Sequence, residues 1–183
     1  MKKLTKPKVR SHKVIKKETW TIFSLYIRTR DAIKTTKTLD NAKCYTCDFV
    51  YPIKNLQAGH FIPGRKNAFL FDENQVHAQC FRCNGPLKGN WVEYIKNLTL
   101  ELGKDTVDEM INRKYEIKQL KSHDLITLKE TYKGKLEALT LMLWMKYIDL
   151  FAGIGGFRLG IERATNSGLA REQKRDSSSS GRQ

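Results

Sequence analysis

Long apolar runs are missing from this sequence of 183 residues: none approaches the roughly 18 residues that a membrane-spanning helix requires. The first ten residues, MKKLTKPKVR, also lack the apolar core of a secretory signal peptide. We therefore expect a cytoplasmic protein without a membrane partner. Cysteine is scarce too, and in a reducing cytoplasm the four cysteines indicate metal ligands rather than disulfides.

Acidic residues are outnumbered, 19 against 34 lysines and arginines, which leaves a net charge of +15. The excess is concentrated at the N-terminus, where residues 1–40 hold 12 basic and 3 acidic side chains. A basic arm of this kind binds phosphates by releasing condensed counterions, so DNA or RNA is the expected partner. A solvated tail kept for solubility explains the charge equally well. An anionic membrane surface is disfavoured because residues 1–17 have no apolar face to insert.

The pattern along the chain predicts three segments: a basic, disordered arm over residues 1–17, a folded domain over 18–144 and a tail over 145–183. Residues 44–88 are punctuated by Gly and Pro and have little helical period, which indicates a hairpin and loops held by metal rather than by a large core. Helical patterns return near Asn90. The expected fold class is α+β.

A first helix is predicted with Thr19 as its cap. Its apolar side chains share one face: Trp20, Phe23, Tyr26, Ile27 and Ile33. Arg28, Arg30 and Lys34 are expected to point outward, and Arg28 and Arg30 are candidate DNA contacts.

Further along, WVEYIKNLTLEL predicts a helix that Gly103 ends. Another is expected with Asp105 as its cap, and a third after Ser122. Their balanced charges are typical of an amphipathic scaffold, so we assign them no chemistry.

Two cysteine pairs, Cys44-Tyr-Thr-Cys47 and Cys80-Phe-Arg-Cys83, are separated by 32 residues. Each pair can present two thiolates from one tight turn, and four sulfurs complete a tetrahedral zinc shell with no open position. The predicted zinc is therefore structural, and its binding free energy becomes folding free energy. Unpaired core cysteines and an iron–sulfur cluster are the alternatives.

Three polar residues around the second pair follow the order of the HNH nuclease motif. His60 is followed fourteen positions later by Asn74, and Asn84 comes directly after Cys83, which makes an H-N-N variant. In that chemistry a neutral imidazole takes a proton from the water that attacks phosphorus, while one Mg²⁺ or Mn²⁺ neutralises the leaving oxygen. His60 is thus the candidate base, Asn84 a candidate cation ligand, and Asn74 the residue that braces the loop and orients the imidazole.

Several of these residues have simpler interpretations. His60 alone is also compatible with a structural histidine. His77 is a second-shell partner, a cation ligand or a packed surface histidine, with the last favoured. Arg65 and Lys66 lie in a Gly-Arg-Lys loop suited to phosphate contact, although two basic residues on a loop are commonly just solvated.

The arrangement CYTC…AGHF…CFRCN resembles the endonuclease VII-type branch of the HNH superfamily, in which a four-cysteine zinc holds a ββα-metal (His-Me finger) nuclease module. More closely, FSLYIRTRDA, QAGHFIPGRKNAFLFDENQVHAQCFRCN and GNWVEYI are similar to the NinG/Rap family of phage recombination proteins. This resemblance covers about residues 20–110. It implies a nuclease or recombination factor that acts on branched DNA.

Gly59 departs from the pattern of many HNH enzymes, which carry at this place an Asp whose carboxylate binds the catalytic cation. Asp72, Glu73 and His77 are the candidates for a second ligand beside Asn84. The departure also keeps open a zinc module that binds DNA without cutting it.

The tail contains MKYIDLFAGIGGFRLGIERA, residues 145–164, which predicts a strand, a glycine-rich turn and the start of a helix. Within it, DLFAGIGGFRLG resembles the first motif of DNA cytosine-5 methyltransferases, which bind S-adenosylmethionine there. The 19 residues that follow contain no catalytic Pro-Cys pair and no further strands. Since one motif cannot build a doubly wound sheet, we expect a fused remnant rather than an independent domain.

Together these patterns predict a zinc-stapled ββα-metal module flanked by helices, acting as a metal-dependent endonuclease on branched DNA. A non-catalytic junction-binding factor is the main alternative, and a methyltransferase fragment a lesser one. By analogy with branch-resolving nucleases, two symmetric strands need two sites, so a homodimer is a further expectation.

Overall fold

Helices and two small sheets make up the part of the chain that the computed structural model describes, residues 10–63 and 68–151. In chain order the elements are α1 (His12–Thr36), β1 (Asn41–Lys43), β2 (Val50–Pro52), a 3₁₀ turn (Ile53–Asn55), β3 (Leu56–His60), β4 (Val76–Cys80), α2 (Phe81–Asn84), α3 (Trp91–Leu102), α4 (Lys104–Asn112) and α5 (Ser122–Phe151). The predicted α+β class is confirmed. Two compact units divide the chain, residues 1–140 and 141–183. None of the helices described is long and apolar enough to cross a membrane.

The first helix starts earlier than its sequence pattern predicts. It begins at His12 after Ser11, so the prediction of disorder is wrong for residues 12–17, while residues 1–9 lie outside the described ranges. Thr19 is not a cap. Its buried hydroxyl lies 2.9 Å from the carbonyl oxygens of both Ile15 and Leu125, and therefore links α1 to α5.

Each small sheet is an antiparallel pair, β1 with β2 and β3 with β4. In the second pair, Leu56 faces Cys80 and His60 faces Val76. Phe23 and Ile27 of α1 pack in one buried cluster with Ala58 and Val76. Because side chains alternate along a strand, His77 and Gln79 belong to the opposite face of β4. The hairpin is therefore buried on both faces, and His60 stands where its long connecting loop begins.

The helix predicted from WVEYIKNLTLEL is confirmed as α3, and Gly103 ends it with a φ of +85° and an N–H that donates to Thr99 O. The next helix begins at Lys104, with Gly103 rather than Asp105 in the cap position. Residues 145–151 continue α5, so the predicted strand there is wrong. The rest of the methyltransferase-like motif lies outside the described residues.

Candidate metal centre and nuclease site

The four cysteines meet at one point. Cys44 and Cys47 come from the turn after β1, Cys80 ends β4 and Cys83 lies in α2. All four Sγ atoms lie within 4.8 Å of one another, and 3.9 Å separates those of Cys47 and Cys80. A tetrahedral zinc with Zn–S bonds of about 2.3 Å has S···S edges of about 3.8 Å. Within the described ranges no other set of His, Cys, Asp or Glu side chains is close enough to hold a metal ion.

Hydrogen-bond donors lie against two of these sulfurs. The N–H of Cys80 donates to Cys44 Sγ at 3.3 Å, and Asn90 Nδ2 donates to Cys83 Sγ at 3.9 Å. Burial acts to raise the pKa of Cys44, but hydrogen bonds from the Cys80 N–H and from Thr46 outweigh it and bring that pKa to about 7. Burial raises the pKa of Cys47 and of Cys83, so Cys44 is the thiol that these neighbours favour as a thiolate, and a cation that binds all four sulfurs must displace protons from the others.

His60 is half-buried at the end of β3 and is held in one orientation. Its Nε2–H donates to Leu70 O at 3.2 Å, and its ring stacks on Trp20 with centroids 5.2 Å apart and planes at 16°. A carbonyl oxygen only accepts hydrogen bonds, so Nε2 carries the proton and Nδ1 is the basic nitrogen. The tautomer is therefore set by the loop.

The two asparagines of the predicted motif differ in placement. Asn84 Nδ2 donates to Gln57 Oε1 at 2.6 Å, and its Oδ1 lies against Gly59, the residue before His60. Asn74 is exposed, and its backbone N–H donates to Asp72 Oδ1 at 3.0 Å. In residues 10–63 and 68–151 the Asn74 side chain makes no hydrogen bond, so it does not orient the imidazole as predicted. Leu70 O does so instead.

The glycine before His60 occupies a place with no room for a side chain. A Cβ built on Gly59 would stand 2.0 Å from Gln79 Oε1 and 2.9 Å from Asn84 Oδ1. Gln79 is fully buried, and its Oε1 has no hydrogen-bond partner among the residues described. The Asp of many HNH enzymes therefore does not fit at this position.

The carboxylates considered as a second cation ligand already have partners. Tyr26 Oη–H donates to Glu73 Oε2 at 2.7 Å, and Lys135 forms an ion pair with the same carboxylate. Asp72 accepts hydrogen bonds from the Asn74 N–H and from Gln75 Nε2. Both carboxylates hold the loop between β3 and β4 in place.

His77 is not a surface histidine, since only 4% of it is exposed. Its ring stacks on Tyr45 with centroids 3.8 Å apart and planes at 12°. Its Nδ1 lies between the Arg30 guanidinium, 3.2 Å from Nη2, and the Asp31 carboxylate, 3.7 Å from Oδ2. Burial acts to raise the pKa of the adjoining Asp31, but His77, Arg30 and the Ala78 N–H hold it below its ordinary value. A guanidinium at the Nδ1 atom disfavours a second cation there.

The arginines expected to point outward instead brace the hairpin against α1. Arg28 Nη1 donates to Ile53 O at 3.0 Å, and Arg30 donates to Glu73 O at 2.8 Å and to Val76 O at 3.0 Å. The outward orientation is therefore wrong for both, while Lys34 is exposed and paired with Glu101. DNA contact by the two arginines stays a prediction. The candidate phosphate contacts Arg65 and Lys66 lie outside the described residues.

Fold and site together define an α+β protein in which a four-cysteine metal cluster adjoins a hairpin that ends in an oriented histidine. The family described as Bacteriophage Lambda NinG protein matches residues 1–141. The chain belongs to the NinG family, and the resemblance seen in the sequence is confirmed. The match ends before the methyltransferase-like stretch at residues 149–160. None of the curated proteins and none of the solved structures matches the chain.

Proposed function

We propose that this protein is a metal-dependent endonuclease of the HNH type, in an H-N-N variant, that acts on branched DNA. The observation that carries the proposal is the orientation of His60. Its proton is held on Nε2 by Leu70 O and its ring is fixed by Trp20, so Nδ1 is the nitrogen that can act as a base. This arrangement adjoins Asn84 through Gly59.

In the proposed reaction His60 Nδ1 accepts a proton from water as the water oxygen bonds to phosphorus. The bond from phosphorus to the 3′-oxygen breaks and the departing oxygen takes a proton from solvent, which leaves a 5′-phosphate and a 3′-hydroxyl. Mg²⁺ or Mn²⁺, when bound, neutralises charge on the departing oxygen. Asn84 Oδ1 is the oxygen that we assign to hold it, because its Nδ2 is fixed by Gln57. Zinc at the four cysteines would fix β4 and α2 in place.

Branched DNA is supported by the family and by the charge. The NinG resemblance implies a part in phage recombination, whose intermediates are branched. A net charge of +15 supplies phosphate contacts, and a junction brings several phosphate backbones to one positive surface. The sequence carries no obvious recognition helix for reading base edges, which favours selection of the substrate by shape rather than by sequence.

The test compares a four-way junction, a flap and a linear duplex of the same sequences at matched salt, scored for binding and for magnesium-dependent nicks. We expect preference for the branched substrates and loss of nicking in His60→Ala and in Asn84→Ala, with zinc content and circular dichroism unchanged. His123→Ala is the matched control, because that histidine is 75% exposed in its side chain and lies in α5. Equal affinity for all three substrates would contradict the branched-DNA proposal.

A catalytically silent junction-binding protein is the second candidate, and the observation that favours it is the absence of room for a carboxylate at Gly59. Tight junction binding without nicks in Mg²⁺ or Mn²⁺ would select it. Size measurement in solution, free and with a junction, tests the homodimer that cutting two symmetric strands would need.

A further inference from the structure

A surface pocket of about 500 Å³ lies beyond His60, where the chain leaves β3. That volume is in the range of about 300–1,000 Å³ that ligand pockets occupy. Its walls come from the residues after β3, the approach to α3 and the end of α4. The lining residues are Ile62, Pro63, Lys88, Trp91, Ile111, Lys114 and Tyr115.

Two large aromatic side chains in this pocket are exposed. Trp91 is 46% exposed and Tyr115 is 73% exposed. The indole of Trp91 lies nearly parallel to the buried ring of Phe61, with an interplanar angle of 3° and centroids 5.8 Å apart. Trp91 therefore packs against Phe61 and leaves nearly half of its surface open to a ligand. Clustered exposed apolar groups mark binding sites more often than chance.

The charges of the pocket identify the kind of ligand. Among the residues that the structure describes, Lys88 and Lys114 line it and no carboxylate does. In the described ranges neither ammonium forms an ion pair, and Lys114 Nζ lies 5.0 Å from the centroid of the Tyr115 ring. A neutral apolar peptide needs no such cations. Aromatic rings beside ammonium groups that have no carboxylate partner fit a planar group attached to an anion. A nucleotide has this chemistry.

We propose that this pocket binds an unpaired nucleobase of a DNA strand, stacked on Trp91, with Lys88 and Lys114 at the flanking phosphates. A base inside a duplex is stacked and does not reach a pocket, whereas branch points and flaps supply unstacked bases. Ile62 follows His60 by two residues, at most about 7 Å along the chain. On the proposed function, on which this step rests, the bound base would therefore position a branch-proximal phosphate near His60.

Binding is measured without Mg²⁺, by fluorescence anisotropy, on a 5′-flap, a single-stranded oligonucleotide of the flap sequence and a linear duplex. Trp91→Ala should weaken binding of the flap and the single strand about tenfold, as loss of one base–aromatic stack predicts. Duplex binding should change less than twofold. Trp91→Phe should retain most of the affinity, which separates stacking from damage to the fold.

Two neighbours provide controls. Val92→Ala alters an adjacent side chain of α3 that is 72% exposed, and Trp144→Ala removes another exposed tryptophan, so both should bind as wild type. Lys88→Ala and Lys114→Ala should each reduce the salt slope of flap binding by about one. A 2-aminopurine placed in the flap should lose fluorescence on binding wild type but not Trp91→Ala.

Unchanged flap binding in Trp91→Ala, or equal weakening of flap and duplex binding, would overturn the proposal that this pocket binds a nucleobase. So would equal losses in Val92→Ala. The outcomes separate this inference from the proposed function. Normal nicking that depends on His60, with flap binding unaffected in Trp91→Ala, would support the proposed nuclease and contradict nucleobase binding in the pocket. Weakened flap binding in Trp91→Ala, with no nicking by the wild-type protein, would support nucleobase binding in the pocket and contradict the proposed nuclease.

Discussion

Replacing Gly59 with alanine should destabilise the whole protein far more than one added methyl group suggests. The new Cβ would stand 2.0 Å from Gln79 Oε1 and 2.8 Å from Gln79 Cδ, distances that no pair of non-bonded atoms sustains. Either the Gln79 carboxamide moves or the β3–β4 pair separates. Gln79 has no free space to enter, since it is fully buried.

The cost follows from the bonds that Gln79 would lose. Its Nε2 donates to Thr46 Oγ1 at 3.0 Å and to Gly89 O at 2.8 Å. Each buried group left without a partner costs about 1–3 kcal/mol. Overpacking a filled core costs about 1–3 kcal/mol more. We therefore expect Gly59→Ala to lose about 2–6 kcal/mol, a large part of the roughly 5–15 kcal/mol that stabilises a domain.

Urea unfolding followed by circular dichroism, with zinc present throughout, measures this loss. Gly134→Ala is the matched control, because nothing lies within 4 Å of its added Cβ and the residue is inside α5, where alanine should gain up to about 1 kcal/mol. Gly59→Ala combined with Gln79→Ala should lose less than the two single changes added together. A loss below about 1 kcal/mol in Gly59→Ala would refute the steric reasoning, given the cost of overpacking.

Three further outcomes are expected. Cys47→Ser should lose its zinc, measured by elemental analysis, and its structure, measured by circular dichroism. Absence of zinc from natively purified wild-type protein would contradict the metal assignment. Asp31→Asn should lose about 3–5 kcal/mol in urea unfolding at pH 7, because it removes the buried carboxylate that pairs with the partly buried Arg30; a loss within experimental error would contradict that pairing. Gly59→Asp should unfold rather than add a cation ligand, because its side chain has no room beside Gln79. A folded variant with raised magnesium-dependent nicking would contradict our account of the site.

Much of this architecture was predictable because its signals are local. The α3 helix follows from the apolar period of WVEYIKNLTLEL and from Gly103, whose positive φ ends it. The two cysteines of each pair lie together because each pair is itself a tight turn, and the predicted meeting of the two pairs is confirmed by the closeness of the four sulfurs. Gly59 in a strand pattern signals a close approach, which Gln79 makes. The identity of that partner is not visible in the local sequence.

What the sequence could not disclose depends on partners distant in the chain. Arg28 and Arg30 have the pattern of exposed helical residues, but carbonyl groups more than twenty positions away accept their hydrogen bonds. The start of α1 was missed because the lysine-rich stretch before Thr19 has little apolar period, with Ile15 as its buried residue. His60 likewise takes its orientation from Leu70 and Trp20, neither of which carries a sequence signal for that role.

The metal cluster and the histidine occupy opposite ends of the same strand pair, and this connects stability to the proposed chemistry. Cys80 pairs with Leu56 at one end of the register, and His60 pairs with Val76 at the other. A shift of one residue between two strands would turn every side chain of one strand to the opposite face. A cation that binds Cys80 and Cys83 to the turn after β1 opposes such a shift, although it touches none of the reacting groups. The position of the candidate base therefore depends on a ligand, Cys80, that lies four residues along the strand from the partner of His60, or about 13 Å at the usual rise per residue.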